Sequence, residues 1–438
     1  MPRLTPLAAL TAALLLTAAC GKGSDLPASA TYGPDVTLAA PEKGGPIPTL
    51  NPAKAVGWPA GGAPTAPAGF TVTRFAEGLA HPRWMYLLPN GDVLVVETNS
   101  PPRQKKGLTD FIAGLMMKRA GAAVPSANRI TLLRDADGDG KPELRTEFLK
   151  GLNSPFGVAL IGETLYVANT DGLLAFPYAA GATAIAAPGV GIIDLPAGTP
   201  NNHWARNLLA SPDGSKLYIA VGSNSNIAEG GMEKEAGRAV ILELTLATKA
   251  VRVFATGLRN PNGLAWEPVT GALWTTVNER DMLGDDLAPD YMTSVKDGGH
   301  YGWPWSYFGQ NVDFRVLPER PDMVAKAIRP DYALGAHTAS LGLAFQTAPA
   351  PGWETFAGGA FIGQHGSWNR KPVSGYKVVF VPFTGGKPSG AAQDFLTGFL
   401  DSRGQALGRP VGVVVDSRGA LLVADDVGNI VWRVSPSK

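Results

Sequence analysis

The sequence predicts an all-β chain folded as a six-bladed β-propeller. Two observations support this prediction: short runs of Val, Thr and aromatic residues are bounded by Gly, Pro, Asn and Asp, and one phrase returns about six times after residue 70. Each copy has a turn-prone or basic residue beside Pro or Gly, an apolar strand, a turn that usually contains Gly, and a second apolar strand. Spacings of about 50 to 80 residues suit four-stranded blades with long insertions and exceed those of helical solenoids.

The copies of this phrase are spread over most of the chain. They begin near His81, Ser154, His203, Arg259, Leu341 and Arg409. Although the chain contains 54 Gly and 37 Pro, 45% of its residues are hydrophobic, so it can bury a substantial core. Its net charge of +1 gives no reason to expect nucleic acid or an anionic membrane surface as a partner. We expect one closed propeller domain over residues 67–438.

The N-terminus carries the features of an export signal. Arg3 precedes an apolar run over residues 7–16, and small residues lead from there to Cys20, the only cysteine. A cysteine at this place predicts a lipoprotein, in which residues 1–19 are a signal peptide and Cys20 carries a lipid that is the sole membrane attachment. Because Thr17 stands where Leu is more usual, an ordinary signal peptide is the alternative. The run is shorter than the ~20 residues of a membrane-spanning helix.

Both alternatives predict an exported protein, and acylation of Cys20 would place it on the periplasmic face of a bacterial membrane. With Cys20 acylated the chain has no disulfide, so its stability must come from blade packing and from any bound metal. Residues 20–66 are rich in Pro, Gly, Ala and Ser, which predicts a flexible tether between the lipid and the propeller.

Function must come from residues at one mouth of the propeller channel, because the fold itself is only a scaffold. The chain has five histidines. His203 lies just before the first strand of a blade, where loops face the channel, and His365 lies in a polar cluster over residues 364–370. The surroundings of His300 are more typical of packing. His81 and His337 are left open.

Several phrases occur in the order found in a known enzyme family. They are residues 259–264 with His203 before them, then 278–281, 298–304 and 408–412. Together they resemble the quinoprotein sugar dehydrogenases, the soluble glucose, sorbosone and pyranose dehydrogenases that use pyrroloquinoline quinone (PQQ). Residues 283–286 and 365–370 bring the chain nearest to the sorbosone and pyranose branch. The resemblance covers roughly residues 70–436 and implies a six-bladed propeller, in agreement with the repeats.

The resemblance implies oxidation of a hydroxyl of an aldose- or sorbosone-like sugar, with PQQ taking the hydride at its C5 carbonyl. His203 matches the family's general base, since an imidazole that titrates near neutrality can accept a hydroxyl proton. Arg259 matches the residue beside the C5 oxygen, where a fixed cation stabilises developing charge. Asn260 would hydrogen-bond the cofactor. The electron acceptor that reoxidises PQQ is left open between a quinone and a cytochrome.

PQQ carries three carboxylates, so its site needs cations. Arg409 matches one arginine of the family, whereas Val411 stands where the glucose dehydrogenases have a second. The candidates to replace that second arginine are Arg370, Lys371 and Arg83. We favour the first of these over the last. His365 lies near the place of a family lysine that contacts PQQ, and it is therefore a further candidate for the cofactor site.

The resemblance also implies calcium, chelated by PQQ and by backbone carbonyls that match those of Arg280 and Asp281, where it would polarise the quinone as a Lewis acid. A second calcium candidate is the acidic run over residues 135–140, which begins like an EF-hand loop. Its carboxylates belong to Asp135, Asp137 and Asp139. Because Thr146 and not Glu stands at the twelfth position, a hairpin turn ranks first here and a surface calcium site second.

Three functions from different classes fit the sequence. The favoured one is a PQQ- and calcium-dependent sugar dehydrogenase. A calcium-dependent lactonase-type hydrolase would need a central ring of Asp, Glu and Asn ligands, whereas the loops offer His203, Arg259, Arg370 and Arg409. The third is a non-catalytic propeller lipoprotein, which the change at Val411 keeps open.

Overall fold

The computed structural model describes residues 23–24, 26–42, 49–102, 108–347 and 351–437. Within this part of the chain, six sheets of four or five strands follow one another in sequence order, with antiparallel pairing between consecutive strands. The first strands of neighbouring sheets contact each other in a closed ring. The predicted all-β, six-bladed propeller is therefore confirmed.

The strands are numbered in chain order. Before the first blade lie β1 (Tyr32–Gly33) and β2 (Phe70–Ala76). Blade 1 contains β3 (Pro82–Leu87), β4 (Val93–Glu97), β5 (Arg129–Arg134) and β6 (Leu144–Leu149). Blade 2 contains β7 (Val158–Ile161), β8 (Thr164–Ala168), β9 (Gly172–Pro177) and β10 (Val190–Asp194). Blade 3 contains β11 (Arg206–Ala210), β12 (Lys216–Val221), β13 (Val240–Thr245) and β14 (Ala250–Thr256).

The second half of the propeller carries longer insertions. Blade 4 contains β15 (Pro261–Trp266), β16 (Leu273–Val277), β17 (Pro289–Ser294) and β21 (Tyr332–Ala336). The insertion between β17 and β21 contains β18 (Gly299–His300), β19 (Ser306–Tyr307) and β20 (Asn311–Val312). Blade 5 contains β22 (Ser340–Phe345), β23 (Ala360–Gln364), β24 (Lys377–Val381) and, after the hairpin of β25 (Phe383–Thr384) and β26 (Lys387–Pro388), β27 (Gln393–Leu396). Blade 6 contains β28 (Pro410–Val415), β29 (Leu421–Asp425) and β30 (Ile430–Pro436).

Helices are few in the described residues. They are α1 (Leu108–Arg119), α2 (Pro321–Val324) and the 3-10 turns Ala28–Thr31, Met232–Glu235 and Glu354–Phe356. The sequence did not predict α1, which is inserted between β4 and β5. Its apolar residues do recur at helical spacing, a signal that was missed; they are Leu108, Phe111, Ile112, Leu115 and Met116. None of the described helices is long and apolar enough to cross a membrane.

The ring is closed by both ends of the chain. Strand β2 pairs antiparallel with β30, so that Phe70 lies opposite Pro436 and Val72 opposite Val434. Blade 6 is thus completed by an N-terminal strand, which leaves no open gap between the last blade and the first. Apolar side chains fill the space between blades, as where Trp353, Phe361 and Phe395 pack their rings together near blade 5.

Glycines let the first strands of the blades approach closely around the channel. Gly157, Gly263, Gly342 and Gly412 lie in or directly beside the first strand of blades 2, 4, 5 and 6. A Cβ on any of them would come closer than 3.0 Å to backbone atoms of the next blade. These positions therefore require glycine, because a side chain would collide with the backbone of the next blade. They explain why Gly recurs in the repeated phrase.

The expected flexible tether over residues 20–66 is wrong for the residues in it that the structure describes. The amide of Asn51 donates to the carbonyl of Trp368 (2.8 Å), and Nε1 of Trp58 donates to Oδ2 of the buried Asp425 (2.7 Å). Strand β1 pairs with β21 at the edge of blade 4. The average composition of the segment concealed Trp58, whose ring packs against that of Trp432 at 5.1 Å. Cys20 and residues 1–19 lie outside the described residues.

Replacing Trp58 tests whether this segment is part of the folded domain. Trp58→Ala removes a ring packed in blade 6 and one hydrogen-bond donor from the buried Asp425, so we expect a loss of about 3 kcal/mol in the free energy of unfolding. Thermal and urea unfolding would measure it. Val56→Ala is the matched control, because the Val56 side chain in the same segment is 45% exposed. Unfolding of Trp58→Ala at the wild-type midpoint would restore the tether interpretation.

Candidate functional site

Loops at one end of the channel collect the polar residues of the repeats. In each blade the first and second strands pair antiparallel, so the residues before the first strand meet those after the second. Opposing pairs are Arg206 and Val221, Pro261 and Val277, and Pro410 and Asp425. We call this end, formed by the residues just before the first strand and just after the second strand of each blade, the channel mouth. His203, Arg259 and Arg409 all lie there.

His203 is held by one residue of the neighbouring loop. Its Nδ1 lies 2.9 Å from the carbonyl oxygen of Ser223 and 2.9 Å from the Oγ of the same serine. A carbonyl oxygen only accepts, so Nδ1 carries the proton and Nε2 carries the lone pair. Burial, reinforced by the Arg259 guanidinium, holds the pKa of His203 well below its ordinary value. The ring is thus neutral, with a basic nitrogen that no described residue occupies.

Arg259 is buried and rigidly held, as a fixed cation should be. It is 4% exposed and donates from Nη1 to the carbonyl of Glu279 (2.5 Å). Its Nη2 donates to Oδ1 of Asn226 (2.8 Å) and forms an ion pair with Oδ2 of Asp281 (3.1 Å). The predicted partner of His203 is therefore present, and its charge lowers the basicity of that histidine.

Asn260 follows Arg259 directly and packs beside His203. A Cβ on Gly222 would lie 2.5 Å from both Oδ1 of Asn260 and Cβ of His203, so these two side chains close over this glycine. The carbonyl of Asn260 accepts a hydrogen bond from the amide of Asn278 (3.1 Å). Asn260 thus lies next to the candidate base, and its contact with a cofactor stays a prediction.

Asp281 is the acidic centre of the mouth between blades 4 and 5. Its carboxylate accepts from Nδ2 of Asn369 (2.8 Å) and pairs with Arg259 and, at 3.7 Å, with Nδ1 of His337. Burial alone would raise the pKa of Asp281, but these three partners lower it to about 2. The other nitrogen of His337 donates to the carbonyl of Gly284 (2.9 Å). Although burial opposes it, Asp281 raises the pKa of His337, which the sequence had left open.

The side chain of Arg280 points into the protein interior. It is fully buried, with ion pairs to Glu279 (2.9 Å) and Asp313 (3.2 Å), and it also donates to the carbonyls of Pro304 and Ser306. Only the backbone of Arg280 remains available to a ligand, in keeping with the prediction of a carbonyl contact.

The backbone carbonyl of Asp281 is less available than predicted. It accepts hydrogen bonds from Nη1 of Arg315 (2.8 Å) and Nδ2 of Asn226 (3.2 Å), which a metal ion would have to displace. The side-chain oxygen Oδ1 of Asn369 is buried and has no hydrogen-bond partner among the described residues. Beside the carboxylate of Asp281, this oxygen is the better ligand for a hard cation.

A second charged cluster lies where blades 5, 6 and 1 meet. Oδ2 of Asp426 is 2.6 Å from Nη1 of Arg83, 2.8 Å from Nε2 of His365 and 3.4 Å from Nε2 of His81. Although burial would raise it, the pKa of Asp426 is held well below its ordinary value by these partners. Burial lowers the pKa of His365 to about 3. Among the described residues, the buried atoms of this cluster that make no hydrogen bond are Oδ1 of Asp426, Nε of Arg83 and Nε2 of His81.

Arg409 lies next to this cluster; its backbone amide donates to Asp425 (2.8 Å), but its guanidinium has no acidic partner in the described residues. It is 4% exposed, and it donates to the carbonyls of His365 and Gly366 (3.1 Å each) and to the hydroxyl of Tyr376 (2.9 Å), whose ring it covers. No carboxylate of the described residues forms an ion pair with it. A buried guanidinium that contacts only neutral groups is poised to bind an anion.

Two candidate cofactor ligands are corrected by the structure. Arg370 is 1% exposed and is committed to an ion pair with Asp286 (2.9 Å), to the carbonyl of Asp285 (2.9 Å) and to Oγ of Ser24 (2.7 Å). Lys371 has an exposed side chain, while its backbone bonds to Asp285 and Ser24. The guanidinium of Arg370 is therefore occupied by other protein groups, and the Lys371 side chain is in solvent. Arg83 is the remaining candidate for the missing arginine.

The acidic run after β5 forms a turn held by its own backbone. Oδ1 of Asp135 accepts from the amide of Gly138 (2.8 Å), and the carboxylates of Asp137 and Asp139 accept from amides two residues further on. Glu143 joins these three acids. Because Arg418 already pairs with Asp135 (2.5 Å), the hairpin-turn interpretation accounts for the geometry, and calcium binding here stays a prediction.

Important residues of the mouth were not predicted, although the sequence carries a signal for them. Ser223 and Asp426 lie within two residues of the end of a second strand, as Glu279 does after β16, and Asn226 lies five residues after β12. Polar residues directly after a buried second strand are therefore the pattern to search for. Together with the predicted residues, they provide a neutral base, a fixed cation beside it and an unpaired cation across the channel. This set can bind an anionic organic molecule and accept a proton.

Comparisons with known proteins identify a family and a shared fold. The TrAA12-like family model matches residues 64–292 and 322–436. A PQQ-dependent pyranose dehydrogenase of Coprinopsis cinerea is 33% identical over 293 residues, covering 53% of this chain and 39% of the relative. The holo PQQ domain of that organism's pyranose dehydrogenase has a TM-score of 0.67 at 20% identity, covering 85% of this chain and 97% of the domain.

A calcium structure of the Trichoderma reesei family AA12 enzyme has a TM-score of 0.69 at 19% identity, covering 86% of this chain and 97% of that one. At these identities the two structural likenesses show the shared fold. The chain spans less than two thirds of the length of the curated relatives that it matches. Because the family model matches well over half of the chain, this protein belongs to the TrAA12-like family.

Proposed function

We propose that this protein is a PQQ- and calcium-dependent sugar dehydrogenase that oxidises a hydroxyl of an aldose- or sorbosone-like sugar. The observation that carries the proposal is the pair of His203 and Arg259: a neutral histidine with a free Nε2 lies beside a buried, immobile guanidinium at the channel mouth. A base and a fixed positive charge are what removal of a proton and a hydride from one H–C–O–H group requires. Family membership supports the same conclusion.

The residues of the mouth fit PQQ. Arg409, a buried cation with no acid of its own, would hold one carboxylate, and Arg83 and His365 lie within the adjoining cluster around Asp426. The unpartnered Nε of Arg83 is a further donor for an anion there. Asn260, next to the candidate base, would hydrogen-bond the cofactor. When bound, PQQ supplies the acceptor for the hydride.

The chain's own contribution to the reaction is proton removal and electrostatics. Nε2 of His203 takes the hydroxyl proton of the sugar as the C–H hydrogen leaves with its electron pair, so that the C–O bond becomes a carbonyl. Because the pKa of His203 lies well below its ordinary value, the ring is neutral before each turnover and readily returns the proton to solvent. Arg259, fixed by Asn226, Glu279 and Asp281, stabilises negative charge that develops nearby without having to reorganise.

Calcium is assigned to the loop that carries Asp281. The oxygens available there are the carboxylate of Asp281, the carbonyl of Arg280 and the unpartnered Oδ1 of Asn369, a set that suits a hard cation. The calcium structure of the Trichoderma reesei enzyme supports this choice of metal.

A lactonase-type hydrolase fits the mouth less well. Such a site needs a central ring of Asp, Glu and Asn ligands around one calcium ion, whereas Asp281 and Asp426 belong to two separate clusters, one with Arg259 and the other with Arg83 and His365. A non-catalytic scaffold would have no use for a buried arginine without an acid, since an unpaired buried charge is costly.

The place of action follows from the N-terminal sequence. We propose that the protein is exported, that Cys20 is acylated, and that the enzyme works at the periplasmic face of a bacterial membrane. A membrane-held enzyme can pass electrons to a quinone in the bilayer or to a cytochrome near it, and both acceptors fit this location.

Replacing the proposed base should abolish turnover but spare cofactor binding. For His203→Gln we expect a fall in kcat of at least about 100-fold, because the hydroxyl proton then has no acceptor. Dye reduction by sugars after reconstitution with PQQ and calcium measures kcat, and a PQQ titration measures loading. Asn202→Ala, which changes the exposed neighbour, is the control. Wild-type kcat in a fully loaded His203→Gln variant would remove this residue from the mechanism.

Replacement of Arg409 should weaken PQQ binding, whereas replacement of Arg370 should not. Arg409→Ala removes the one cation opposite a desolvated carboxylate, a loss of roughly 2 to 5 kcal/mol, or about one and a half to three and a half orders of magnitude in PQQ affinity. Arg370→Ala should lower the unfolding temperature and leave PQQ affinity unchanged, since its partners are Asp285, Asp286 and Ser24. Reconstitution titrations of both folded variants, checked by circular dichroism, give the comparison. Wild-type affinity in Arg409→Ala would contradict the assignment of blade 6.

Metal removal tests the calcium assignment. Chelation should release PQQ and abolish activity, and only PQQ and calcium together should restore it, because ligands from both the cofactor and the protein complete the site. Asn369→Ala should weaken the calcium dependence of PQQ binding, whereas Asp137→Asn, in the exposed turn after β5, should not. Full activity after exhaustive dialysis against chelator would exclude a calcium requirement, and a loss confined to Asp137→Asn would move the site to that turn.

A further inference from the structure

We propose that Ser223, backed by the buried carboxylate of Glu235, is the positioning residue that fixes which nitrogen of His203 is basic. The inference rests on the proposed function, since it concerns the residue assigned as the base. Neither Ser223 nor Glu235 was singled out in the sequence. In the structure Ser223 contacts the ring of His203, and Glu235 contacts the two residues that follow Ser223.

Ser223 contacts both the ring of His203 and the backbone of Arg259. Its carbonyl oxygen and its Oγ both lie 2.9 Å from Nδ1 of His203. Its amide donates to the carbonyl of Arg259 (2.7 Å), and the whole residue is fully buried. One residue therefore sets the position of the His203 ring relative to the backbone of Arg259.

The direction of the hydrogen bonds decides the tautomer. Oγ of Ser223 donates its single proton to the carbonyl of Ser225 (2.7 Å), so toward His203 it can only accept. The carbonyl of Ser223 is an acceptor as well. Because Nδ1 of His203 faces two acceptors, it must carry the proton, and Nε2 is left with the lone pair.

Glu235 holds the loop in which Ser223 lies. This carboxylate is 4% exposed, and it accepts from the amide of Asn224 (2.6 Å) and from Oγ of Ser225 (2.6 Å). A buried carboxylate is costly unless its hydrogen bonds are made, so a glutamate at this place has to be accounted for by what it holds. It anchors residues 224 and 225, and Ser225 in turn supplies the carbonyl that orients the hydroxyl of Ser223.

Gly222 makes the close approach possible. A Cβ at this position would collide with Cβ of His203 and Oδ1 of Asn260, so a larger residue would push the loop of Ser223 away from the ring. Gly222, Ser223 and Glu235 thus act together, and we call them the orienting device. Gly222 leaves room for the ring of His203, Ser223 orients that ring, and Glu235 fixes the loop.

The orienting device leaves the imidazole without a carboxylate in contact. The charged groups near His203 are Arg259 and Arg206, which disfavour its protonated form, and Asp281, which favours it. A hydroxyl and a carbonyl orient the ring without stabilising a positive charge as strongly as a carboxylate would. His203 is therefore oriented as a base and is kept able to release its proton.

Nuclear magnetic resonance of the apoprotein labelled with 15N-histidine tests the inference directly, and five histidines keep the spectrum simple. We expect the proton of His203 on Nδ1 in the wild type. Ser223→Ala leaves the backbone carbonyl as the one acceptor for Nδ1, and Glu235→Gln loosens the loop that holds this carbonyl, so in both variants a minor signal from the tautomer protonated at Nε2 should appear beside the major one. In the reconstituted enzyme kcat should fall about tenfold with KM and PQQ affinity unchanged, as is usual for lost orienting hydrogen bonds. Glu233→Gln is the control, because Glu233 is exposed in the same turn.

A wild-type protein with the proton of His203 on Nε2 would overturn the inference. So would Ser223→Ala and Glu235→Gln variants in which both the tautomer and kcat match the wild type. The spectrum of the apoprotein does not depend on PQQ or on a sugar, so the two proposals can fail separately. The expected tautomer in a protein that oxidises no sugar would refute the dehydrogenase, and an active dehydrogenase with the opposite tautomer would refute the role of Ser223.

Discussion

The close approach of the first strands around the channel is the constraint on which the rest of the structure depends. At Gly157, Gly263, Gly342 and Gly412 the backbone of one blade leaves no room for a side chain beside the next. Because the blades pack this tightly at the centre, the loops at the channel mouth lie within hydrogen-bonding reach of one another. Arg409 of blade 6 can then bond to backbone carbonyls at the end of blade 5.

Most of the buried arginines described above stabilise the loops through ion pairs, and Arg409 is the exception. Arg280 and Arg370 are buried in ion pairs that fasten loops, and Arg259 is paired with Asp281. Arg409 is equally buried, but its guanidinium contacts only neutral groups of the described residues. In a protein whose net charge is +1, a local excess of positive charge of this kind is best explained by an anionic ligand. The neutral His203 across the channel supplies the complementary chemistry, a proton acceptor.

The repeated phrases in the sequence predicted the blades and the residues at fixed places in them. The partners of individual side chains could not be predicted in this way. Recurrent phrases located the blades and, within them, His203, Arg259 and Arg409. Arg370 follows His365 by five residues, yet its guanidinium is occupied by Asp286 and by Ser24 from the N-terminal segment, and no pattern in the sequence reports such long-range partners. Composition likewise concealed Trp58, because one aromatic residue hardly changes the average of a Pro- and Gly-rich segment. Ser223 and Asp426 were missed even though each lies within two residues of the end of the second strand of its blade.

The central claim is that a sugar delivers its electrons to PQQ in this protein through the base His203. Anaerobic single-turnover absorption spectroscopy of the protein reconstituted with PQQ and calcium tests it most directly. On mixing with an aldose, the account predicts conversion of the oxidised PQQ spectrum to the reduced one, with one molecule of oxidised sugar formed per bound PQQ. An unchanged PQQ spectrum with a panel of aldoses and sorbosone-like sugars, in protein shown to be fully loaded, would contradict it.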